Sequence, residues 1–304
     1  MLHSANIVAI CIATYMRPLL LKNCLHSLTK IIVPEKYTPI IIVVDNDILR
    51  SGESEFNTIK THFNFKSFYY IEPNRGVSSV RNCLLEKAIL QNANLVAFID
   101  DDELAHKNWL INMLKGLEKY QCNIIAGPVI PISQTISPDS FKKDSKKPEG
   151  SVPRNIPAGN VLFTDDLFIK NKLRFDNYFN FIGCEDFDFF DRAIKNGMTS
   201  VWIDDAIVFE TITPERKKLG YVLYRHLTGG INVVMRYRRH HSLISAWLRY
   251  VPKILSKFVS AIFSFLIGVI FIKKNNFKKA IIRIANGIGY LFGLTNIIIE
   301  RYKY

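Results

Sequence analysis

The chain has 304 residues, 48% of them apolar and 12% aromatic, which excludes an intrinsically disordered protein and allows a sizeable buried core. Its net charge of +13 is unevenly distributed, because residues 1–212 carry 23 basic and 25 acidic side chains, whereas residues 213–304 carry 17 basic and two acidic ones. The excess of positive charge in the C-terminal segment lies among Ile, Phe and Leu. In a nucleic-acid-binding protein, exposed polar and aromatic side chains that contact the bases would be mixed with the charge. A nucleic-acid-binding protein is therefore not favoured.

Apolar runs alternate with helical patterns through the first part of the chain. The runs predict strands at residues 7–13, 40–44, 68–71 and 95–99, with helices at 18–30 and 77–91 between them. A further helix is predicted at 107–120 and a strand at 124–130. This alternation predicts an α/β fold with a mostly parallel sheet flanked by helices. Residues 131–157 contain five prolines and predict a flexible lid or acceptor loop.

Three adjacent aspartates, Asp100, Asp101 and Asp102, stand where the apolar run 95–99 stops. Neighbouring like charges raise one another's pKa, so such a cluster indicates a cation or a row of hydroxyl groups beside it. Open α/β sheets bind ligands beyond the carboxyl ends of their strands, which is where these residues fall. The alternative is a solvated acidic turn in which Asp101 or Asp102 caps the next helix.

Polar side chains also follow the earlier strands, and together they could hold a nucleotide. An aspartate can accept hydrogen bonds from a base or ribose, a tyrosine can stack, and an arginine can neutralise phosphate. Taken singly, each could be a turn or a solvated helix residue. The candidates from the strand ends and the following helix are Thr14, Tyr15, Arg17, Asp45, Asn74 and Arg81.

In this order the motifs resemble those of the inverting glycosyltransferases of family 2. That family has the GT-A fold, a Rossmann-like nucleotide-binding architecture, and uses nucleotide-diphosphate sugars. The resemblance covers roughly residues 5 to 240 and best fits a subset that is similar to succinoglycan and other exopolysaccharide transferases. The similar segments are ATYMR at 13–17, VVDN at 43–46, NRG at 74–76 with VRN at 80–82, FIDDDE at 98–103, GNVLF at 159–163 and GCEDFDFFDR at 183–192.

The resemblance implies roles for individual residues. Asp45 would contact the base, Asp101 the ribose, and Asp102 a Mn²⁺ or Mg²⁺ ion that bridges the diphosphate. Many members have a histidine as a further metal ligand at a position where this chain has Glu210, which could replace it as an oxygen ligand. Thr14, Tyr15, Arg17, Asn74, Arg81 and Asp100 would belong to the nucleotide site.

Inverting transfer also requires a general base that removes the proton of the acceptor hydroxyl. Asp186 is the first candidate and Glu185 the second. The alternative for both is a helix cap that complements the helix dipole. Asp188 and Arg192 are spaced i,i+4 and predict a structural ion pair.

The C-terminal segment predicts membrane association. Residues 258–272 form an uncharged run of about 22 Å as a helix, shorter than a hydrocarbon core of about 30 Å, with lysines on both sides. A second apolar stretch follows at 280–299. We predict a GT-A domain at 1–240 and a monotopic helical hairpin at 241–304 that binds the anionic inner leaflet. The alternatives for residues 241–304 are a transmembrane hairpin, a buried helical pair or a dimer interface.

Cysteine usage and the N-terminus favour the cytoplasmic face of the inner or plasma membrane. The five cysteines form no C-x-x-C pair, and most are expected to be buried apolar residues. The first apolar stretch, at residues 7–13, is too short for a signal peptide.

The predicted function is metal-dependent transfer of a hexosyl or N-acetylhexosaminyl group from a nucleotide-diphosphate donor, with UDP expected. The acceptor would be a lipid-linked or growing glycan in surface polysaccharide assembly. A nucleotidyltransferase is one alternative, but it would normally carry a glycine-rich loop after the first strand, and residues 14–20 contain no glycine. A non-catalytic membrane-associated scaffold of the same fold is the other alternative.

Overall fold

The computed structural model describes residues 6–132, 147–153 and 155–300. The chain divides into two compact units: the first comprises residues 1–180 and 185–212, and the second comprises residues 181–184 and 213–304. The domain boundary placed at residue 240 on sequence grounds stays a prediction.

The first unit is built on a seven-stranded sheet and a three-stranded sheet. Strands β1 to β4 alternate with helices, and the later strands are shorter. Their bounds are β1 Asn6–Thr14, β2 Tyr37–Asp45, β3 Ser67–Ile71, β4 Leu95–Ile99, β5 Glu103–Ala105, β6 Ile124–Ala126, β7 Val129–Ile132, β8 Asn160–Thr164, β9 Ser200–Trp202 and β10 Val208–Thr211.

The large sheet has the strand order β3-β2-β1-β4-β8-β6-β9, and the predicted mostly parallel arrangement is confirmed. β1 pairs in parallel with β2 along its whole length and with β4 on its other side. β8 is the exception, because it runs antiparallel to both β4 and β6. The small sheet has the order β5-β10-β7, with β10 antiparallel to β5 and parallel to β7.

Helices cover both faces of the large sheet. Strands β1, β2 and β4 are almost fully apolar because both of their faces are buried, which is the usual pattern of a parallel sheet. Each face of the sheet packs on its own cluster of buried side chains. The helices of the first unit are α1 Pro18–Leu28, α2 Glu53–Ile59, α3 Val77–Leu90, α4 Trp109–Tyr120 and α5 Glu185–Lys195.

Several sequence predictions need correction. The single strand predicted at 124–130 is two strands, β6 and β7, interrupted by Gly127 and Pro128. A Cβ at Gly127 would clash with the carbonyl oxygen of Ala206, so the chain bends here where only glycine fits. The helix predicted from residue 107 begins at Trp109 after Asn108, so neither Asp101 nor Asp102 is its cap.

Helix α2 was not predicted from the sequence. Of the predicted lid at 131–157, residues 133–146 and 154 lie outside the described part of the chain. Four of the five cysteines are buried, as predicted.

The second unit is helical and consists of α6 Pro214–Lys217, α7 Leu219–His240, α8 Leu243–Ile270 and α9 Lys274–Leu294. α7 and α9 pack closely, since a Cβ at Gly289 would clash with the carbonyl oxygen of Leu227. Glycine at this position therefore lets the two backbones approach. Asn232 donates a hydrogen bond of 2.7 Å to the carbonyl of Ile182, which ties α7 to the short segment 181–184 of the same unit.

α8 and α9 form an antiparallel hairpin, as the pairing of residues along them shows. The ring of Phe265 packs edge-on against Phe277 near the turn, and Tyr250 packs against Tyr290 at the other end. α8 is longer than the uncharged run at 258–272 indicates, because the helix continues upstream through Lys257, Lys253 and Pro252 to Leu243. Among the described residues, α8 is the one helix long and apolar enough to cross a membrane by length and composition.

Candidate active site

The acidic motif lies at the carboxyl end of β4, beside the end of β1. Thr14 Oγ1 donates a hydrogen bond of 2.8 Å to Asp101 Oδ2, and Arg17 Nη1 lies 3.3 Å from Asp101 Oδ1. The same Arg17 nitrogen lies 3.6 Å from Asp102 Oδ2. Burial raises the pKa of Asp101 to about 7, and the charges of Asp102 and Asp100 add to this rise, while Arg17 and Thr14 oppose it. Thr14, Arg17, Asp101 and Asp102 are therefore joined in one set of contacts, and their roles in binding nucleotide and metal stay predictions.

Arg81 connects the acidic motif to the start of α5. Its guanidinium pairs with the Glu185 carboxylate through Nη1, and its Nη2 lies 3.4 Å from Asp100 Oδ1. The side chains of Arg81 and Glu185 are only 8% and 4% exposed, so this ion pair is buried. Arg81 was predicted to bind nucleotide, and that role stays a prediction beside the pairing seen here.

Asp186 is the more accessible of the two predicted bases. Its Oδ1 accepts a hydrogen bond of 2.8 Å from the Phe187 amide, and its Oδ2 accepts one of 3.3 Å from the Ala158 amide. The charge of Asp186 also contributes to raising the pKa of Asp100, after the larger effect of burial, so the two carboxyl groups are electrostatic neighbours. Asp188 pairs with Arg192 at 2.8 Å, which confirms the structural ion pair predicted from their spacing.

Asp45 organises the loop that follows β2. Its fully buried carboxylate accepts hydrogen bonds of 2.9 Å from the amides of Asp47 and Gly52, and a third from the hydroxyl of Tyr69 on β3. Burial raises the pKa of Tyr69, and its hydrogen bond to Asp45 adds to that effect. Asp45 thus fixes residues 46–52 at the edge of the sheet, and its contact with a base stays a prediction.

Asn46 holds the loop after β3. Its side-chain amide donates to the carbonyls of Glu72 and Asn74 at 2.7 and 2.9 Å, and its oxygen accepts from the Gly76 amide at 2.8 Å. Asn74, predicted to bind nucleotide, is exposed at this loop. Gly76 has a positive φ of 126°, and a Cβ there would clash with Asn180, so the turn into α3 requires glycine.

Tyr15 lies in a separate contact from the acidic motif. Arg75 Nη2 donates a hydrogen bond of 3.0 Å to the Tyr15 hydroxyl, and its guanidinium lies 5.0 Å from the centre of the tyrosine ring. Both residues follow strands of the sheet, β1 and β3. The pair places an aromatic group at the strand ends, and the nucleotide-binding role of Tyr15 stays a prediction.

Glu210 lies directly opposite Glu103 in the antiparallel pairing of β10 with β5. Like charges facing each other across two strands are unfavourable. The Thr211 amide donates a hydrogen bond of 3.1 Å to the carbonyl of Asp102, so Glu210 and Asp102 occupy neighbouring positions on the backbone. Burial raises the pKa of Glu103 well above its usual range, and the charges of Asp100, Asp102 and Glu210 raise it further. The carboxyl groups of Asp100, Asp102, Glu103 and Glu210 are therefore electrostatic neighbours.

This donor set fits a divalent cation bound together with phosphate. In the described part of the chain, no group of three or more His, Cys, Asp or Glu is placed to hold a metal by itself. Mg²⁺ and similar hard cations are normally held by one or two carboxylates and complete their shell with phosphate oxygens and water. Asp102 and Glu210 could supply the carboxylates, and the repulsion around Glu103 would be relieved by a cation.

Several residues that shape the site could not be found by sequence reasoning. Glu103 was quoted within a motif but given no role, although its Oε2 accepts a hydrogen bond of 3.0 Å from the Asp100 amide. Gly159 makes room for it, because a Cβ there would contact the Glu103 carboxylate. Tyr69 was assigned no role, and Asn46 was considered only as a polar residue at a strand end and not as a support for the next loop. No local pattern indicates these contacts, since the partners lie on other strands and loops.

The chain is similar to known proteins over much of its length. The profile described as Glycosyl transferase family 2 matches residues 9–185, more than half of the chain. Succinoglycan biosynthesis protein ExoM of Rhizobium meliloti (strain 1021) is 26% identical over 243 residues, which cover 78% of this chain and 77% of that protein. Glycosyltransferase GlyA of Streptococcus pneumoniae is 28% identical over 107 residues, which cover 35% of this chain and 14% of that protein.

Solved structures share the fold. The mannosyltransferase PcManGT from Pyrobaculum calidifontis, in complex with GDP-Man and Mn²⁺, gives a TM-score of 0.65 at 15% identity and covers 95% of this chain and 87% of its own. S. aureus TarS 1–349 in complex with UDP gives a TM-score of 0.55 at 15% identity and covers 95% and 90% of the two chains. At these identities, the likeness shows the GT-A architecture.

Proposed function

The chain belongs to glycosyl transferase family 2, and on that premise we propose that it moves a sugar from a nucleotide-diphosphate donor to a glycan acceptor with inversion at the anomeric carbon. The observation that carries the proposal is the network of Thr14, Arg17, Asp101 and Asp102 at the carboxyl edge of the sheet. Open α/β sheets bind nucleotides at this edge. UDP is the expected carrier, and solved structures of the same fold hold UDP, UDP-GlcNAc or GDP-Man.

The donor would be held by the residues at the ends of β1 and β4. Asp101, oriented by Thr14 and Arg17, would accept hydrogen bonds from the ribose hydroxyls. The half-exposed Arg17 would turn toward the diphosphate, because a guanidinium binds phosphate well. Tyr15, stacked under Arg75, would offer its ring to the base.

A Mn²⁺ or Mg²⁺ ion would be held by Asp102 and Glu210. When bound, such an ion neutralises the negative charge that develops on the leaving nucleoside diphosphate. Mn²⁺ in the complex of PcManGT supports a divalent cation in this fold. The neighbouring positions of Asp102 and Glu210, and the cluster of carboxyl groups around Glu103, support the same assignment in this chain.

Asp186 would act as the general base. As the acceptor oxygen bonds to the anomeric carbon, the bond from that carbon to the diphosphate oxygen breaks, and the hydroxyl proton passes to the Asp186 carboxylate. Two backbone amides orient this carboxylate. Glu185 is less suited to the role, because it is buried and ion-paired with Arg81.

The acceptor is proposed to be a lipid-linked or growing glycan in surface polysaccharide assembly. The support is the likeness to a succinoglycan biosynthesis protein over most of both chains. The second support is the basic, apolar C-terminal segment, which would hold the protein as a peripheral or monotopic enzyme on the anionic cytoplasmic leaflet. A transferase held there would meet a polyprenyl-linked acceptor in the plane of the membrane.

The test is isothermal titration of UDP, GDP, CDP and dTDP, with and without Mn²⁺. It uses the wild type, Asp102→Ala and the control Glu86→Ala, which removes an exposed acidic residue of α3. We expect metal-dependent binding of one nucleotide that is lost in Asp102→Ala and kept in Glu86→Ala. Absence of nucleotide binding by the folded wild type with Mn²⁺ would refute the proposed donor site and favour a scaffold.

A further inference from the structure

The α8–α9 hairpin presents a continuous apolar stripe to its surroundings. Five residues spaced three or four apart fall on one side of α8 and are between 48% and 69% exposed, namely Leu255, Val259, Ile262, Leu266 and Ile270. The side that packs on α9 carries small or buried residues instead, such as Ala261 and Gly268. An exposed apolar surface of this length indicates an interaction site.

The charges around this stripe favour an anionic partner. Residues 213–304 carry 17 basic and two acidic side chains, and no acidic residue occurs between Glu215 and Glu300. Lys253 and Lys257 precede the uncharged run, and Lys273 and Lys274 follow it. A second copy of the chain would bring the same excess of positive charge against this one, which opposes a dimer through the hairpin. Anionic phospholipid complements both the apolar stripe and its basic ends.

The positions of the cations also indicate how deep the hairpin can go. Although α8 has 28 residues, its charge-free part is only residues 258–270, or about 20 Å, against a hydrocarbon core of about 30 Å. Crossing would carry the lysines of the turn and the first part of α9 through the membrane, which is costly for each charge. Lysines at both ends can instead extend to the headgroups while the stripe between them is immersed.

Arg283 of α9 places a hydrogen-bonded positive charge near the middle of the hairpin. Its guanidinium donates a hydrogen bond of 2.6 Å to the carbonyl of Ser260 and another to the hydroxyl of Ser264 on α8. The bonded charge lies on the inner side of the hairpin, away from the stripe around Ile262. A hairpin lying flat keeps this side toward the headgroups, whereas a spanning hairpin would place Arg283 within the hydrocarbon.

We propose that the α8–α9 hairpin is an in-plane anchor that immerses the Leu255 to Ile270 stripe in one leaflet of an anionic bilayer without crossing it. This deepens the membrane attachment of the proposed function and is independent of the donor chemistry. The stripe would be the face that contacts lipid, and the lysines at its two ends would contact the headgroups. The turn at 271–273 would stay on the same side of the membrane as the rest of the chain.

The first experiment measures binding of the full chain to vesicles of neutral phosphatidylcholine with and without 30% phosphatidylglycerol. The test variant is Ile262→Glu with Leu266→Glu, and the matched control is Leu90→Glu with Ile169→Glu, which replaces two exposed apolar residues of the first unit. We expect the wild type and the control to bind anionic vesicles at least tenfold more tightly than neutral ones, and the test variant to lose at least tenfold. Equal binding by all three proteins would overturn the proposal.

The second experiment decides between lying in the membrane and crossing it. A fluorophore is attached at Lys278→Cys in a Cys184→Ser background, and the protein is added to preformed vesicles. Quenching of the label by a membrane-impermeant reductant outside the vesicles supports an in-plane hairpin, and protection of the label indicates a spanning one and refutes the proposal.

Two further measurements keep the outcomes separate. Lipid-independent self-association of the wild type that the test variant abolishes, measured by analytical ultracentrifugation, would assign the stripe to a dimer instead and also refute the proposal. Nucleotide titration of the same proteins distinguishes these results from failure of the donor site, because the substituted residues lie outside that site.

Discussion

We predict that the buried ion pair between Arg81 and Glu185 stabilises the folded protein. Replacing Arg81 with methionine keeps most of the side-chain volume but removes the guanidinium, so the Glu185 carboxylate loses its buried partner. Asp100 loses a second contact, but at 3.4 Å this contact is longer, and the Asp100 side chain is less buried than that of Glu185. We therefore expect the effect to come mainly from Glu185.

The expected loss can be sized from the burial of the pair. Removing one member of a buried ion pair typically costs about 3–5 kcal/mol, whereas exposed pairs contribute less than about 1 kcal/mol. Since both side chains are less than a tenth exposed, Arg81→Met should lower the free energy of unfolding by about 3–5 kcal/mol. Adding Glu185→Leu should recover part of the loss, because the unpaired charge is then gone.

Urea unfolding followed by tryptophan fluorescence would measure these differences, with Arg50→Met as the control for an exposed pair with Glu53. A loss for Arg81→Met no greater than for Arg50→Met would refute the assignment of a buried, stabilising pair. Nucleotide titration of the same variant separates the two roles of Arg81. Unchanged stability with lost nucleotide binding would instead assign the arginine to the donor.

Three further predictions follow from single contacts. Asp186→Asn should lower kcat by about 10²–10⁴-fold in steady-state kinetics while titration shows unchanged affinity for the donor. A variant with normal kcat would exclude Asp186 as the base. Gly76→Ala should cost about 2–3 kcal/mol in thermal unfolding. The loss should clearly exceed that of Gly197→Ala, where φ is also positive, at 86°, but the space is open; equal losses would contradict the clash with Asn180. Asn46→Ala should lower the free energy of unfolding by about 2 kcal/mol and speed hydrogen exchange of the backbone amides at residues 72–76. Unchanged exchange would show that Asn46 does not hold that loop.

Local sequence signals were sufficient for the first half of the sheet. The apolar runs ended abruptly, so β4 was predicted with the bounds it has, and the acidic residues after it were placed correctly at the sheet edge. The i,i+4 pairing of Asp188 with Arg192 could be predicted for the same reason, since helix geometry alone brings the two together.

Contacts between distant segments could not be predicted in this way. Arg81 and Glu185 are 104 residues apart, and nothing in either segment indicates the other. The reversal of β8 depends on its neighbours rather than on its own residues. The full length of α8 was missed because its basic residues interrupt the apolar run without ending the helix.

The reversed direction of β8 has a consequence for how this site could change during evolution. A parallel strand offers its last residues to the carboxyl edge of the sheet, but β8 offers its first, so Ala158 and Gly159 lie beside Asp186 and Glu103. The residues that directly precede β8 therefore lie at the carboxyl edge of the sheet. Substitutions at Ala158 and Gly159 would change the surroundings of Asp186 and Glu103 while β8 keeps its register with β4, so this corner can vary without rebuilding the sheet.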